Sequence, residues 1–329
     1  MLLDSALLKA LAAAACAAAT IGPALAQDWP ARPVTMVVPF AAGGPADTVG
    51  RILAPRLSEL LGQQVVVENV GGSGGMTGSA RVAKAAPDGY QLVLGNVGTH
   101  AANQTFYKAP LYNASIDFAP VVLIAQTPLV LLARKNLPAD KLPEFIAYAK
   151  ANQSSMQFGS GGAGSASHLA CVLLNSAIGV SVTHVPYRGA APAMQDLIAG
   201  GIDYQCPDTP IAIPQIESGT VKAIAILTRD RSPMLPDQLS AHEQGLTGFD
   251  AANWFAVFLP KGTPEAIVQR LLAAAVATLD TPVVQQRMRE IGADVTLSDR
   301  RSPEYLQRFV ESEIKKWAGP IKASGISAD

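Results

Sequence analysis

The sequence predicts an α/β protein built as two lobes around parallel sheets, and three observations carry that expectation. Residues 34–38 form an apolar run without polar alternation, as in a parallel strand covered on both faces. Glycine-rich loops and amphipathic stretches follow such runs repeatedly, with the short connections of right-handed βαβ units. The middle of the chain repeats the series on its own. Both ends together supply the remainder, so lobe 1 is expected from 27–125 and 229–329, and lobe 2 from 126–228.

The first unit sets the pattern. Its strand stops at Pro39, Gly43 and Gly44 turn the chain, and a helix follows over about 47–61. Val49, Ile52, Leu53, Leu57, Leu60 and Leu61 recur at i, i+3, i+4 spacing, which is one buried face. Pro55 lies inside that helix and predicts a bend near Arg51, because its ring removes a hydrogen bond to the preceding turn. A short strand at 65–68 leads into a glycine loop, a helix at 76–86, the turn Pro87-Asp88-Gly89 and a strand at 91–95. Runs at 121–125 and 129–133, split by Pro128, carry the chain into the second lobe.

There a helix opens at Leu142-Pro143, a strand spans 156–159, and 160–165 is a glycine-serine loop before a helix from Ser167. A strand at 182–185, a loop at 186–189 and a helix at 191–199 ending on Gly200-Gly201 come next. Strands at 202–205 and 223–227 complete the series. The loop-rich stretch 229–250 reads as the return to the first lobe. A strand at 254–259 and helices at 264–279, 282–291 and 303–322, each with proline in its first turn, close the chain.

Composition excludes some functions. Of 329 residues 16% are charged and the net charge is −1, which leaves no basic stripe for nucleic acid. Lys9 precedes an alanine-rich run at 10–19, and Ala24-Leu25-Ala26 is an A-x-A cleavage signature. Residues 1–26 therefore read as a signal peptide cleaved after Ala26, and the mature chain as an exported protein. Cys16 has Ala13 three residues before it, where a lipid anchor prefers leucine. Cys171 and Cys206 remain after cleavage; export permits a disulfide, and two small buried hydrophobes fit equally. The four histidines lack metal-ligand spacing, so neither a metal nor a cofactor is expected.

Three polar loops fall at C-terminal strand ends, where open α/β sheets bind ligands. The first holds Phe40, Ala41, Ala42, Gly43, Gly44 and Asp47. Nothing in it is basic, so an anion there would rest on backbone amides and the positive end of a helix dipole. The second holds Ser160, Gly164 and Ser165, with His168 one turn on. The third holds Tyr187, Arg188 and Gly189, with Asp208 at a further strand end. Each has a plainer reading. Asp47 and Ser165 also suit helix N-caps, worth about 1 kcal/mol each. His168 also suits the core, Arg188 the solvated surface, and Asp208 a turn.

No G-x-G-x-x-G, Gly-Lys-Ser/Thr, G-x-S-x-G or H-E-x-x-H pattern is present. A hydrolase would have to draw on Ser165, His168 and Asp208, with serine and histidine only three residues apart. Binding without catalysis is the expectation.

These pieces together resemble the Bug (TctC-like) family of periplasmic solute receptors. The matching segments are Trp29-Pro30 with Pro33, Pro39 to Gly44 with Asp47, Val67-Glu68-Asn69 and Pro87-Asp88-Gly89-Tyr90. Asp117-Phe118 with Pro120, the loop 159–168, Val185 to Gly189, Trp254-Phe255 and Pro260 with Gly262-Thr263-Pro264 continue the series.

The resemblance implies a type II-like, two-lobed periplasmic-binding-protein fold that closes on a small carboxylate. It also implies partners, either the membrane components of a tripartite tricarboxylate transporter or a sensor protein. The first-lobe grip would fall on Phe40 to Gly44, with Asn96 and Thr99 on a further ligand-facing loop. Ser160, Gly164, Ser165, His168, Tyr187 and Gly189 would answer from the second lobe, with Asp208 near the ligand's far end. Arg188 stands where the family commonly has lysine. Cys206-Pro207 is an unusual lead into Asp208.

Overall fold

The computed structural model describes residues 29–328; the expected signal peptide lies outside the described residues. In chain order the first elements are β1 (Val34–Val38), α1 (Pro45–Leu61), β2 (Val65–Asn69), α2 (Met76–Ala83), β3 (Gln91–Asn96), α3 (Asn103–Phe106) and β4 (Phe118–Pro128). Then come β5 (Val130–Arg134), α4 (Leu142–Asn152), β6 (Gln157–Ser160), α5 (Ala166–Ile178), β7 (Thr183–Pro186), α6 (Ala190–Ala199), β8 (Tyr204–Gln205), α7 (Thr209–Glu217) and β9 (Val221–Ile226). The chain closes with β10 (Ala252–Pro260), α8 (Glu265–Leu279), α9 (Pro282–Glu290), β11 (Asp294–Val295) and α10 (Pro303–Ser324). Among the described residues no single helix is long and apolar enough to cross a membrane.

Helix α1 starts earlier than its apolar spacing alone suggests. Gly44 caps it in an extended conformation, and Pro45 takes the first-turn position its fixed φ suits. Asp47 is consequently inside the first turn and is not the N-cap. The helix runs through Pro55 without interruption and ends on left-handed Gly62. Ile52, Leu53, Leu57 and Leu61 are buried, as their spacing requires.

Two sheets result, ordered β11-β4-β10-β3-β1-β2 and β7-β6-β8-β5-β9. The βαβ strands pair in parallel, β1 with β2 and β3, and β6 with β7 and β8. Both sheets are nevertheless mixed, because β10 runs against β3 and β4, and β5 against β8 and β9. The reason is the double crossing. A chain that leaves one lobe along a strand and re-enters along another sets the two strands side by side and opposed.

At the crossing, Leu227 N–H donates to Leu129 O at 2.8 Å, and Ala251 N–H to Leu227 O at 2.7 Å. Residues 229–250, expected in lobe 1, pack on the second sheet. Ala241 N–H donates to Ile226 O at 2.7 Å, and Ala241 and Ala251 are buried in one cluster with Leu131 and Leu227.

The C-terminal helix locks the first lobe. Leu306, Val310, Trp317 and Ile321 of α10 join Val93, Trp254 and Phe258 in a single core. Within it the Glu313 carboxylate accepts the indole N–H of Trp254 at 3.0 Å and of Trp317 at 3.2 Å. Lys316 stands 3.6 Å away. Glu313→Leu leaves two buried donors unpaired, at about 1–3 kcal/mol each. The denaturant midpoint should fall clearly, while Glu313→Gln, which keeps an acceptor, falls less; equal stability in both variants would contradict this docking.

Candidate functional site

Between the lobes, three helix starts meet at one cavity. Its first-lobe wall is Phe40 from the end of β1, Pro45 and Ala46 from α1, Asn96 from β3, and Asn253 and Phe255 from β10. The second-lobe wall is Gly161, Ser165, Ala166 and Ser167 at the start of α5, Ala190 at the start of α6, and Asp208. No lysine or arginine lines it. The first N–H groups of a helix have no helical acceptor, and the dipole makes that end positive. The N–H groups of Ala46, Ala166, Ser167 and Ala190 make no other hydrogen bond among the described residues. Polar donors and positive helix ends therefore converge from both lobes. Its free space is about 20 Å³, room for one water-sized group.

Loop one is braced from behind. Asp47 Oδ2 accepts Gly43 N–H at 2.9 Å and Arg51 Nε at 2.9 Å, and Oδ1 accepts Asn69 Nδ2 at 3.0 Å. Asn69 also donates to Phe40 O at 3.1 Å. Those partners hold the Asp47 carboxyl below its usual range against the opposing effect of burial, the largest single influence on it. Its job in the structure is to hold the loop. Gly43 has φ +77°, which a β-branched residue resists, whereas Gly44 is extended. Ala42 and Gly43 are exposed at the loop tip.

The lobes touch directly around the cavity. Ala41 N–H donates to Arg188 O at 3.1 Å, so Arg188 contributes its backbone there. Tyr107 donates its hydroxyl to Ala163 O at 2.9 Å. Gly74 abuts the second loop so closely that a Cβ on it would lie 2.0 Å from Ala163 O. A Cβ on Gly189 would meet that of Ala41 at 2.9 Å.

The second loop is also held from within. Ser165 caps α5, its Oγ accepting His168 N–H at 3.3 Å and lying 3.2 Å from Ser167 Oγ. His168 Nδ1 accepts Gly164 N–H at 3.1 Å, so no Ser165–His168 side-chain pair exists. Ser160 Oγ lies 2.7 Å from His184 Nε2, but the serine is fully buried and, among the described residues, no carboxylate orients that ring. Burial lowers His168 to about 3 and His184 to about 4, so both rings are neutral across the physiological range.

Of the other expected residues, Asn96 lines the cavity while its Oδ1 accepts Thr99 N–H at 3.0 Å. Thr99 is buried behind it, bonded to Asn96 and His100. Tyr187 turns its hydroxyl away to Asp196.

Asp208 closes the far end. Its Oδ1 accepts Thr127 Oγ1 at 2.8 Å and Asn253 Nδ2 at 2.6 Å, both from the crossing strands of lobe 1. Oδ2 has no side-chain partner among the described residues. Burial raises the carboxyl to about 6 although Asn253 and Thr127 favour the ionised form. A disulfide between Cys171 on α5 and Cys206, with Cα atoms 5.6 Å apart, ties the helix of Ser165 and His168 to the segment of Asp208. Sequence reasoning missed Asn253, Thr127, Ser167, Ala190 and His184. Asn253 stands beside the Trp254-Phe255 segment, Ser167 between Ser165 and His168, and Ala190 next to Gly189, so these three had neighbouring signals.

Residues 49–326 match the profile of the family described as "Tripartite tricarboxylate transporter family receptor". Protein BugT of Bordetella pertussis is 34% identical over 304 residues, covering 92% of each chain. The periplasmic binding protein BugD superposes with a TM-score of 0.89 at 40% identity, covering 92% of this chain and all of its own. MatC of Rhodopseudomonas palustris, solved with malate, gives 0.87 at 41% identity over 89% of this chain and all of its own. A further R. palustris protein, solved with adipate, gives 0.87 at 37% identity over 91% of this chain and 99% of its own. The three solved structures share this fold, and BugD among them is described as a periplasmic binding protein. The chain belongs to the tripartite tricarboxylate transporter receptor family.

Proposed function

We propose that this protein captures a small carboxylate in the periplasm by closing its lobes, and delivers it to the membrane components of a tripartite tricarboxylate transporter. The observation that carries this reading is the convergence of three helix N-termini, from both lobes, on a cavity without a cationic side chain. Relatives solved with malate and with adipate support the ligand class. An acid fixed on the α1 start exposes its remaining acceptors to α5 and α6, and the second lobe gains those bonds only by closing. Closure then moves as far as the ligand's preference for the closed state allows.

Asp208 selects at the far end. Ionised above about 6, its carboxylate accepts a hydrogen bond from a ligand donor. The ligand class is therefore a small acid bearing a hydroxyl donor near that end, with malate as the natural probe.

Calorimetric titration with malate tests the reading. Wild-type protein should bind, and Gly74→Ala, which obstructs closure at Ala163, should bind at least tenfold more weakly, about 1.4 kcal/mol. Unchanged affinity in that variant would remove closure from the mechanism. The pH dependence has a fixed sign. Asp208 loses its charge as pH falls through about 6, so the preference for malate over succinate should shrink from pH 7.5 to pH 5. Asp208→Asn should flatten that change, and a preference that grows on acidification would contradict the assignment.

A further inference from the structure

A second cavity, of about 340 Å³, lies behind the loop that runs from Ser160 to Ser165. Its near wall is the imidazole pair of His168 and His184, with ring centroids 4.2 Å apart. Phe158, Val172 and Val182 make an apolar side, and Ile326, beyond α10 of lobe 1, closes the other. No aspartate, glutamate, lysine or arginine lines it.

The chemistry of the wall is specific. His168 is 95% buried by its 5% relative exposure, and its Nδ1 is occupied as the acceptor of Gly164 N–H. A neutral imidazole with one nitrogen accepting carries its proton on the other. Nε2–H of His168 is therefore a donor, and it has no partner among the described residues although the ring lines the cavity. The hydroxyls of Ser176 and Ser181 stand at the exposed rim. A donor facing a cavity with one apolar side and a polar rim suits an occupant with an acceptor head and an apolar body. A carboxylate head makes the stronger, charge-assisted bond with a neutral N–H donor.

We propose that this cavity is a second ligand site, for a compact apolar monocarboxylate, separate from the cleft between the helix starts. Its occupant meets the ring that holds Gly164 N–H and, beside it, the ring that contacts Ser160. It also touches elements of both lobes behind the cleft. Binding there is thus coupled to the arrangement of the second loop, and by linkage each ligand changes the affinity of the other by the same factor.

Benzoate is the probe, with benzyl alcohol as the uncharged control. The readout is the imidazole nitrogen resonances of histidine-labelled mature protein. Benzoate should shift His168 and His184 in the wild type and in Gly74→Ala, while benzyl alcohol does not. Val172→Trp fills the cavity from its apolar side and should weaken benzoate at least tenfold while malate still binds. Val182→Trp serves the same purpose should the first variant not fold.

Absence of any imidazole shift at millimolar benzoate overturns the proposal. So does a benzoate response that survives both filling variants. A response lost in Gly74→Ala together with malate binding places benzoate in the main cleft and overturns it as well.

Discussion

The structure depends on one electrostatic arrangement, the aiming of unpaired backbone N–H groups from several helix starts at one point. Backbone amides are the weakest of anion binders singly; in the proposed reading they act together because α1, α5 and α6 deliver them with their dipoles. Much of the surrounding detail serves that aim. Asp47 and Asn69 hold the first loop, while Ser165, Ser160 and two neutral histidines hold the second. In the proposed capture by amides, selectivity comes from geometry and from closure, and no long cationic side chain has to be ordered at entropic cost.

The same constraint explains the hinge. Amides on two lobes act together only if the lobes meet in one register, and the crossing strands fix that register. Thr127 and Asn253 lie on those strands and both bond Asp208, so the far wall of the cavity is built from the hinge itself. The Cys171–Cys206 bond joins the same wall to α5. In the proposed mechanism, lobe closure and the shape of the distal pocket are consequently one structural variable. Gly74 and Gly189 let the two loop systems approach at a distance no side chain would permit.

How much of this was legible in the sequence follows from where each signal lies. Gly43, the glycine-serine loop and Asp208 stand at strand ends within local patterns, so short-range reasoning places them near a site. The antiparallel strands and the membership of 229–250 depend on which lobe a segment packs against, and no local period records that. Asp47 looked like a cap and proved to sit in the first turn, because Pro45 moved the helix start. Asn253, Thr127 and His184 act through partners 24 to 81 residues away, which explains why spacing alone did not find them. The cysteines left two readings open, and only the proximity of Cys171 on α5 to Cys206 just after β8 chose between them.

The most direct test of amide-based carboxylate capture is a thermal-shift comparison of small acids with their own amides on the mature protein. An acid at about 100 times its dissociation constant should stabilise the fold by about 2.7 kcal/mol, and the matching amide should leave the melting temperature unchanged. Equal shifts from acids and amides would show that the helix starts do not select charge, and silence from every acid with well-folded protein would contradict the carboxylate receptor.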